Sequence, residues 1–551
     1  MLDKIASDIQ KQGKKQIDFL SLIPFIVISL TLLPVAVVAF SLFSPSVEVW
    51  RHLWDTILPR ILANTFLLLA GVASGTLVLG TGLAWLITAY EFPGKRTFKW
   101  LLVLPMAVPA YVMGFIYMAL FDFAGPVQSM IREMGWQGMT FPQIRSGAGA
   151  ILVMILVLYP YVFLLAKAGF EEQSGSVFEA AKVLGCSKMG IFFRVAFPLA
   201  RPSIAAGVAL ASMDALADFA TVRYFNFPTV SDGIIRVWHG MMNLGAASEM
   251  AGLLAIFSLA ILLTEHRMRN RRAYHQSKGK RQGIPAMQLK GYKGIVATSV
   301  CAAVVMAAFG IPILQLLYWA TKGIAEITSS AMAVYGRLAM NSLILSVMAA
   351  VFAVFLALLM ASISRFKGGR LLSYITRTVT MGYAMPGAVI AVGILLALSA
   401  ADRAINYMTH SLWGITPGLI LTGSLMGLIY AYTVRFMAIA YSSVDSSMSK
   451  ISPNIVLAAR ALGASPYRLI FKIKLPLILP GILAGAILVF VDVMKELPIT
   501  MMLRPLGYDT LAIWVWQMSA ESLWTDTALP ALAIVLVGLV PIRLLLSAEK
   551  R

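Results

Sequence analysis

The sequence predicts an all-α protein that crosses a membrane about twelve times, in two parallel repeats of six helices. Three observations predict this class: an apolar composition, a set of apolar runs of membrane length, and a long segment that occurs twice. Of 551 residues, 59% are hydrophobic and 13% charged, against about half and about a quarter in an ordinary soluble domain. Mean hydropathy is +0.82. Soluble globular and disordered classes are thereby excluded. The net charge of +20 would suggest nucleic acid on a soluble chain. Here the basic residues lie between apolar runs and read as loop charges that set membrane orientation. Cys186 and Cys301 are the two cysteines and there are five histidines, which supports no disulfide framework, zinc site or histidine cage.

A membrane helix needs about 20 mostly apolar residues. Such runs centre near residues 32, 76, 110, 158, 211, 256, 306, 350, 388, 427, 488 and 538. The first follows Lys11, Lys14 and Lys15, is too long for a signal-peptide core and has no small-residue cleavage site after it, so it is expected to be retained. Even spacing puts both termini on one side. That side holds 34 basic residues and the other 10, with Lys495 inside a span, which makes the 45 of the whole chain. The positive-inside rule places both termini in the cytoplasm. The expected division is an N-terminal tail over 1–20, a first half over 21–266, a basic cytoplasmic linker over 267–293, a second half over 294–547 and a C-terminal tail over 548–551.

The two halves repeat each other. Residues 179–207 read EAAKVLGCSKMGIFFRVAFPLARPSIAAG, and residues 457–485 read LAARALGASPYRLIFKIKLPLILPGILAG. An offset of 278 pairs Ala180 with Ala458, Ala181 with Ala459, Gly185 with Gly463, Pro198 with Pro476, Pro202 with Pro480 and Gly207 with Gly485, and continues to Trp238 and Trp516. Asn64/Asn341 and Pro109/Pro386 pair with an offset of 277, and Tyr159/Tyr430 pair if the second half carries a seven-residue insertion near 449–454. Two six-span copies have the same topology, which implies a pseudo-two-fold axis along the membrane normal and a pathway between halves.

The repeated segment falls in a cytoplasmic loop between spans four and five, and again between ten and eleven. It reads as a short helix over 177–184, a break at Gly185 or Gly463, a second amphipathic helix, and prolines that end one helix and start the next. A short helix lying across the membrane surface is a handle by which a partner could move a whole half. An interfacial helix resting on headgroups is the alternative on spacing alone.

Glu179-Ala180-Ala181, then Gly185, then Pro198 and Pro202 ending at Gly207, resemble the EAA loop of ABC-importer permeases. The resemblance implies the type I ABC-importer permease fold, with each loop a coupling helix that docks into an ATPase subunit. Glu179, Ala180, Ala181, Gly185 and Pro198, with Ala458, Ala459, Gly463 and Pro476, are then the coupling residues. Leu457 stands where the first copy has Glu179, so the two ATPase contacts should be unequal. The chain has no G-x-x-x-x-G-K-[ST] loop. The resemblance thus implies a permease rather than an enzyme, no cofactor in this chain, and ATP and Mg in two partner ATPase subunits. It also implies a solute-binding protein on the far side of a bacterial inner membrane, and no nucleic-acid partner.

Beyond each loop lie two acids four residues apart, Asp214 and Asp218 in the first copy and Asp492 and Glu496 in the second. On a continuous helix each pair shares a face, roughly 17 and 23 Å beyond Ser203 for the first pair. Ionisable groups at such depth usually face a pathway or each other, and four carboxyls suit a hard cation. Neutralisation by Lys495, or solvation at the outer surface, are the structural alternatives, and no metal ligand is assigned. The strings around Asp218, Asp492 to Pro498, and Leu503-Arg504-Pro505 resemble the ferric-iron branch of the family. Fused thiamine permeases share the architecture and are the competing reading. A proton-driven secondary transporter would leave the repeated loop unexplained.

Overall fold

The computed structural model describes residues 18–43, 45–135, 143–270, 287–326, 328–367 and 385–549. Most of the 1–20 tail and of the 267–293 linker, and the last two residues, lie outside them. The first repeat holds α1 (Asp18–Ser41), α2 (Val47–Thr56), α3 (Leu58–Ala89), α4 (Lys95–Leu101), α5 (Ala110–Phe121), α6 (Pro126–Glu133), α7 (Gly147–Glu171), α8 (Gly175–Val183), α9 (Lys188–Ile191), α10 (Phe197–Ala217), α11 (Ala220–Tyr224), α12 (Val230–Ile235) and α13 (Leu244–Asn270). The second holds α14 (Tyr292–Val305), α15 (Ile311–Glu326), α16 (Ser329–Lys367), α17 (Gly387–Trp413), α18 (Leu425–Ser449), α19 (Pro453–Ala461), α20 (Pro466–Arg468), α21 (Leu475–Met494), α22 (Pro498–Leu503), α23 (Leu511–Ala520) and α24 (Trp524–Glu549). A two-residue parallel pairing of Tyr90–Glu91 with Met287–Gln288 is the sheet present among the described residues.

Twelve helices are long and apolar enough to cross a membrane among the described residues. The chain is an all-α polytopic membrane protein. Helices are the outcome because a backbone N–H or C=O in hydrocarbon has no water to bond and must be paired within its own segment. Spans three and nine sit further along the chain than hydropathy places them. Pro109 (φ −60°, ψ 147°) and Pro386 (φ −55°, ψ 143°) are extended and precede the first helical residue, so they begin these spans instead of lying at their centres.

The helix boundaries set the register of the repeat. Ser146 accepts from the Gly149 N–H at 3.3 Å to start α7, and Ser424 accepts from the Gly427 N–H at 3.1 Å to start α18. Both pairs are 278 apart, as are the ends of α7 and α18 and the starts of α8 and α19. No insertion therefore separates the copies here, and Tyr159 does not correspond to Tyr430. The two phenols do different work: Tyr159 donates to the Leu102 carbonyl at 2.9 Å, Tyr430 to that of Leu30 in α1. Close backbone approach gives the same register. A Cβ on Gly207 would overlap Val162, and one on Gly485 would lie against Ala440, again 278 apart.

Packing divides the chain differently from its repeats. One compact unit holds α1 and Leu338–Thr510, and the other holds the chain from α2 to Arg337 and everything from Leu511 onward. The first span of each repeat thus packs on helices of the other repeat. In the first unit α1 lies on α17, so closely that a Cβ on Gly393 would overlap the Pro34 backbone. Val27, Met360 and Met437 form a buried cluster beside it. In the second unit Phe115 of α5 stacks with Trp319 of α15 and Trp524 of α24, with ring centroids about 6 Å apart. Gly393→Val should therefore loosen α1 at a cost of about 1–3 kcal/mol, read as a lower unfolding midpoint of the solubilised chain. The same change at Gly336, whose Cβ would meet nothing, should leave that midpoint in place.

Candidate functional site

The repeated loop has one geometry in both copies. Helix α8 ends with Gly185 at φ +76°, and α19 ends with Gly463 at φ +75°. The Gly185 and Cys186 N–H groups donate to the Lys182 and Ala181 carbonyls at 3.0 Å, and the Gly463 and Ala464 N–H groups donate to the Arg460 and Ala459 carbonyls at the same distance. This is the Schellman closure, which satisfies the last helical carbonyls only if the residue after the helix is left-handed. Glycine reaches that conformation without the Cβ clash that costs other residues about 1–2 kcal/mol. Ser187 and Ser465 then start the next helical turn by accepting from the Gly190 and Arg468 N–H groups.

From there the chain runs without a break into the span. A wide π turn over Phe192–Ala196, and over Leu469–Lys474, leads directly into α10 and α21. The second amphipathic helix expected of the loop is therefore the first part of the span itself. Pro198 and Pro476 are the second residues of α10 and α21, and Pro202 and Pro480 lie inside them, so none of the four ends a helix. A proline removes an N–H and crowds the carbonyl four residues back; the widened turn just before it gives that carbonyl room. Each loop is thus joined stiffly to a membrane helix.

The outward faces of the loops differ. Glu179 and Ala180 are exposed while Ala181 is buried, and Ala458 is exposed while Ala459 is buried. Val183 and Leu184 present 87% and 82% of their surface, and Leu457 and Leu462 present 62% and 86%, so apolar side chains face outward on both loops. Beneath α8, Phe178 joins an aromatic cluster of Trp85, Phe170 and Phe192. The second loop has Val456 at the place of Phe178, and Leu457 at that of Glu179.

At the opposite end of α10 and α21 the acids adopt a different arrangement from the one expected. Helix α10 stops at Ala217 and α21 at Met494, between the two acids of each pair. Asp214 is half-buried in the last turn of α10, whereas Asp218 lies beyond it in extended conformation. The pairs therefore do not share a continuous helix face. Asp218 accepts the Thr221 N–H at 2.8 Å and the Thr221 hydroxyl, and so caps α11. Glu496 accepts the Ile499 N–H at 3.1 Å and so caps α22. Lys495 also falls past the end of its helix, and pairs with Asp492 at 2.9 Å. Glu496, 6% exposed, pairs with Arg435 of α18 at 3.2 Å. Gly387 makes room for that pair, since a Cβ there would overlap the guanidinium and the carboxylate. In the first repeat Ala110 and Val157 stand at the places of Gly387 and Arg435, and the Thr221 hydroxyl serves Asp218 instead.

Sequence reasoning missed Arg435, although a lone arginine inside an apolar run needs a buried partner. It also missed Asp232 of α12, fully buried between Arg236 and Arg223. Burial raises the Asp232 carboxyl above the usual carboxylate range, and the two guanidiniums oppose that shift. The paired asparagines were legible: Asn64 donates to the Pro228 carbonyl at 2.9 Å and Asn341 to that of Asp509 at 3.0 Å, tying down the segment after each break. Among the described residues no three His, Cys, Asp or Glu side chains gather as a metal ion would require.

Residues 76–265 and 353–550 each match the family of binding-protein-dependent transport system inner membrane components. The chain belongs to that family. This ABC permease is similar to the Fe(3+)-transport system permease protein FbpB 2 of Haemophilus influenzae, 26% identical over 488 residues, which is 88% of this chain and 89% of that protein. It is 23% identical to the putative ferric transport system permease protein FbpB 1 of the same organism, over 82% of this chain and 71% of that one. The sulfate transport system permease protein CysT of Salmonella typhimurium is 28% identical over 44% of this chain and 87% of its own. As an ABC importer permease, the protein is a multi-pass inner-membrane subunit that works with a solute-binding protein and with ATPase subunits that hydrolyse ATP separately. Replacing Gly185 or Gly463 by Pro, whose φ is confined near −65°, should abolish ATP-driven uptake while leaving insertion of the permease intact. Uptake at the parent rate in both variants would remove the loops from coupling.

Proposed function

We propose that the permease imports ferric iron, delivered by a solute-binding protein and driven by two ATPase subunits that carry ATP and Mg. Similarity across both repeats supports this reading. The Fe(3+)-transport relative spans 88% of the chain, whereas the sulfate and molybdenum permeases each span less than half of it. The charge asymmetry of the loops supports cytoplasmic termini, which put α8 and α19 on the ATPase side.

In this reading the ATPases grip the exposed apolar faces of α8 and α19. Because each loop continues stiffly into α10 or α21, a pull on it reaches the capped break at the far end, roughly 30 Å away for a 20-residue helix. ATP binding draws the loops together and opens the pathway to the binding protein, and hydrolysis resets it. Glu179, Ala180, Ala181, Gly185 and Pro198, with Ala458, Ala459, Gly463 and Pro476, form the two handles. Asp218 and Glu496 hold the breaks in shape, while Asp214 and Asp492 sit one turn before them, Asp492 paired with Lys495.

Uptake of radiolabelled ferric iron by iron-starved cells, with and without this permease, tests the substrate, with labelled thiamine as a parallel control. Loss of iron uptake alone is the expected result. Loss of thiamine uptake alone would discard the ferric reading and keep the importer.

A further inference from the structure

The segment between α10 and α13 carries a charged cluster that the fold does not require. Asp232, with no exposed surface, stands between Arg223 and Arg236, whose side chains are 41% and 42% exposed. Both arginines turn Nε toward the carboxylate, Arg236 within hydrogen-bond reach and Arg223 at 3.9 Å. Each arginine side chain thereby keeps exposed surface beside the carboxylate. Arg223 also lies over the ring of Trp516, 5.8 Å from its centroid, and the buried Trp516 indole N–H meets no acceptor.

The second repeat serves as an internal control. The offset of 278 holds at the break, where Asp218 and Glu496 accept from the Thr221 and Ile499 N–H groups. Beyond it the tied carbonyls of Pro228 and Asp509 and the helix starts at Val230 and Leu511 are 281 apart, so Trp238 does not correspond to Trp516. Arg223 therefore corresponds to Met501, and Asp232 and Arg236 to Ile513 and Gln517. The backbone there does the same things: a short helix follows the break, and an asparagine ties the next segment down. Neutral residues stand at these places, and the guanidinium nearby in the second repeat, Arg504, is paired with Asp509 at 3.1 Å. A cluster with two guanidiniums on one carboxylate has a surplus positive charge, planar donors suited to oxyanions, and an indole donor without an acceptor.

We propose that Arg223 and Arg236, positioned by Asp232, form a one-sided binding site for a small oxyanion at the end of α10 opposite the coupling loop. The oxyanion is either cargo in its own right or a co-ligand that travels with a metal cation. The site does not depend on the ferric assignment, because it is read from charge and geometry in the first repeat alone.

Binding of 32P-labelled inorganic phosphate to the full chain in phosphatidylcholine nanodiscs tests it. Lipid phosphates are already abundant there, so saturable binding of free phosphate needs a site that lipid does not fill. The parent should bind saturably. The variant R223M/D232I/R236Q, which installs the second repeat's own residues, should bind at least about tenfold more weakly, equivalent to about 1.4 kcal/mol. Arg504→Gln, which removes a guanidinium from the second repeat, should bind as the parent does. No saturable binding by the parent, or equal binding by the triple variant, would overturn the proposal. In the assembled importer, uptake of labelled phosphate identifies the anion as cargo. Phosphate-dependent uptake of labelled iron that the triple variant loses identifies it as a co-ligand.

Discussion

A backbone group in hydrocarbon must find its partner inside the protein, and this constraint organises the whole permease. It makes the spans helical. It also decides what happens where a helix stops. After Ala217 and after Met494 the chain breaks and begins a new short helix, and the first N–H groups of that helix need acceptors. Asp218 and Glu496 supply them. Carboxylates that look like ligands for a travelling cation are thereby committed to holding the backbone. The removal of one partner from a buried pair such as Arg435–Glu496 leaves an uncompensated charge, at a cost of about 3–5 kcal/mol. The same constraint shapes the other end of each span, where the Schellman turn at Gly185 or Gly463 closes the loop helix.

The two repeats solve these problems with one backbone and different side chains. Glu496 needs Arg435 and the space at Gly387, while Asp218 uses Thr221. The first repeated loop rests on an aromatic cluster around Trp85, and the second has Val456 where Phe178 would be. Arg223, Asp232 and Arg236 have neutral counterparts. A fused chain keeps such differences in place, because each repeat always meets the same neighbour. Differences between copies therefore separate what the fold needs from what one side does alone.

Much of this was legible in the sequence. Apolar runs identify the spans, and the matched glycines and prolines identify the loops, because both follow from local physics. Tyr159 and Tyr430 misled the alignment of the repeats: both are tyrosines on apolar helices, but the serine caps at Ser146 and Ser424 set the true register. The spacing of the acids misled in a second way. It presumes an unbroken helix, although Pro498, a residue suited to the first turn of a new helix, already marks one break. Pro109 and Pro386 mark starts in the same manner. Arg435 was hidden because its partner Glu496 is distant in sequence and only packing brings the two together. Asp232 and Arg236 stand at a legible spacing of four, and only the burial of Asp232 was hidden. The crossing of α1 and α15 onto the opposite repeat leaves no local trace at all.

The central claim is that the repeated loops are the handles gripped by the ATPases. Thiol cross-linking in the assembled importer tests it most directly, with Cys186 and Cys301 replaced by Ala and single cysteines introduced by Leu184→Cys, Leu462→Cys or Leu506→Cys. Leu506 is fully exposed beyond the far end of α21. The account predicts cross-links to the ATPase from positions 184 and 462 and none from 506. Cross-linking from 506, with none from either loop, would contradict it.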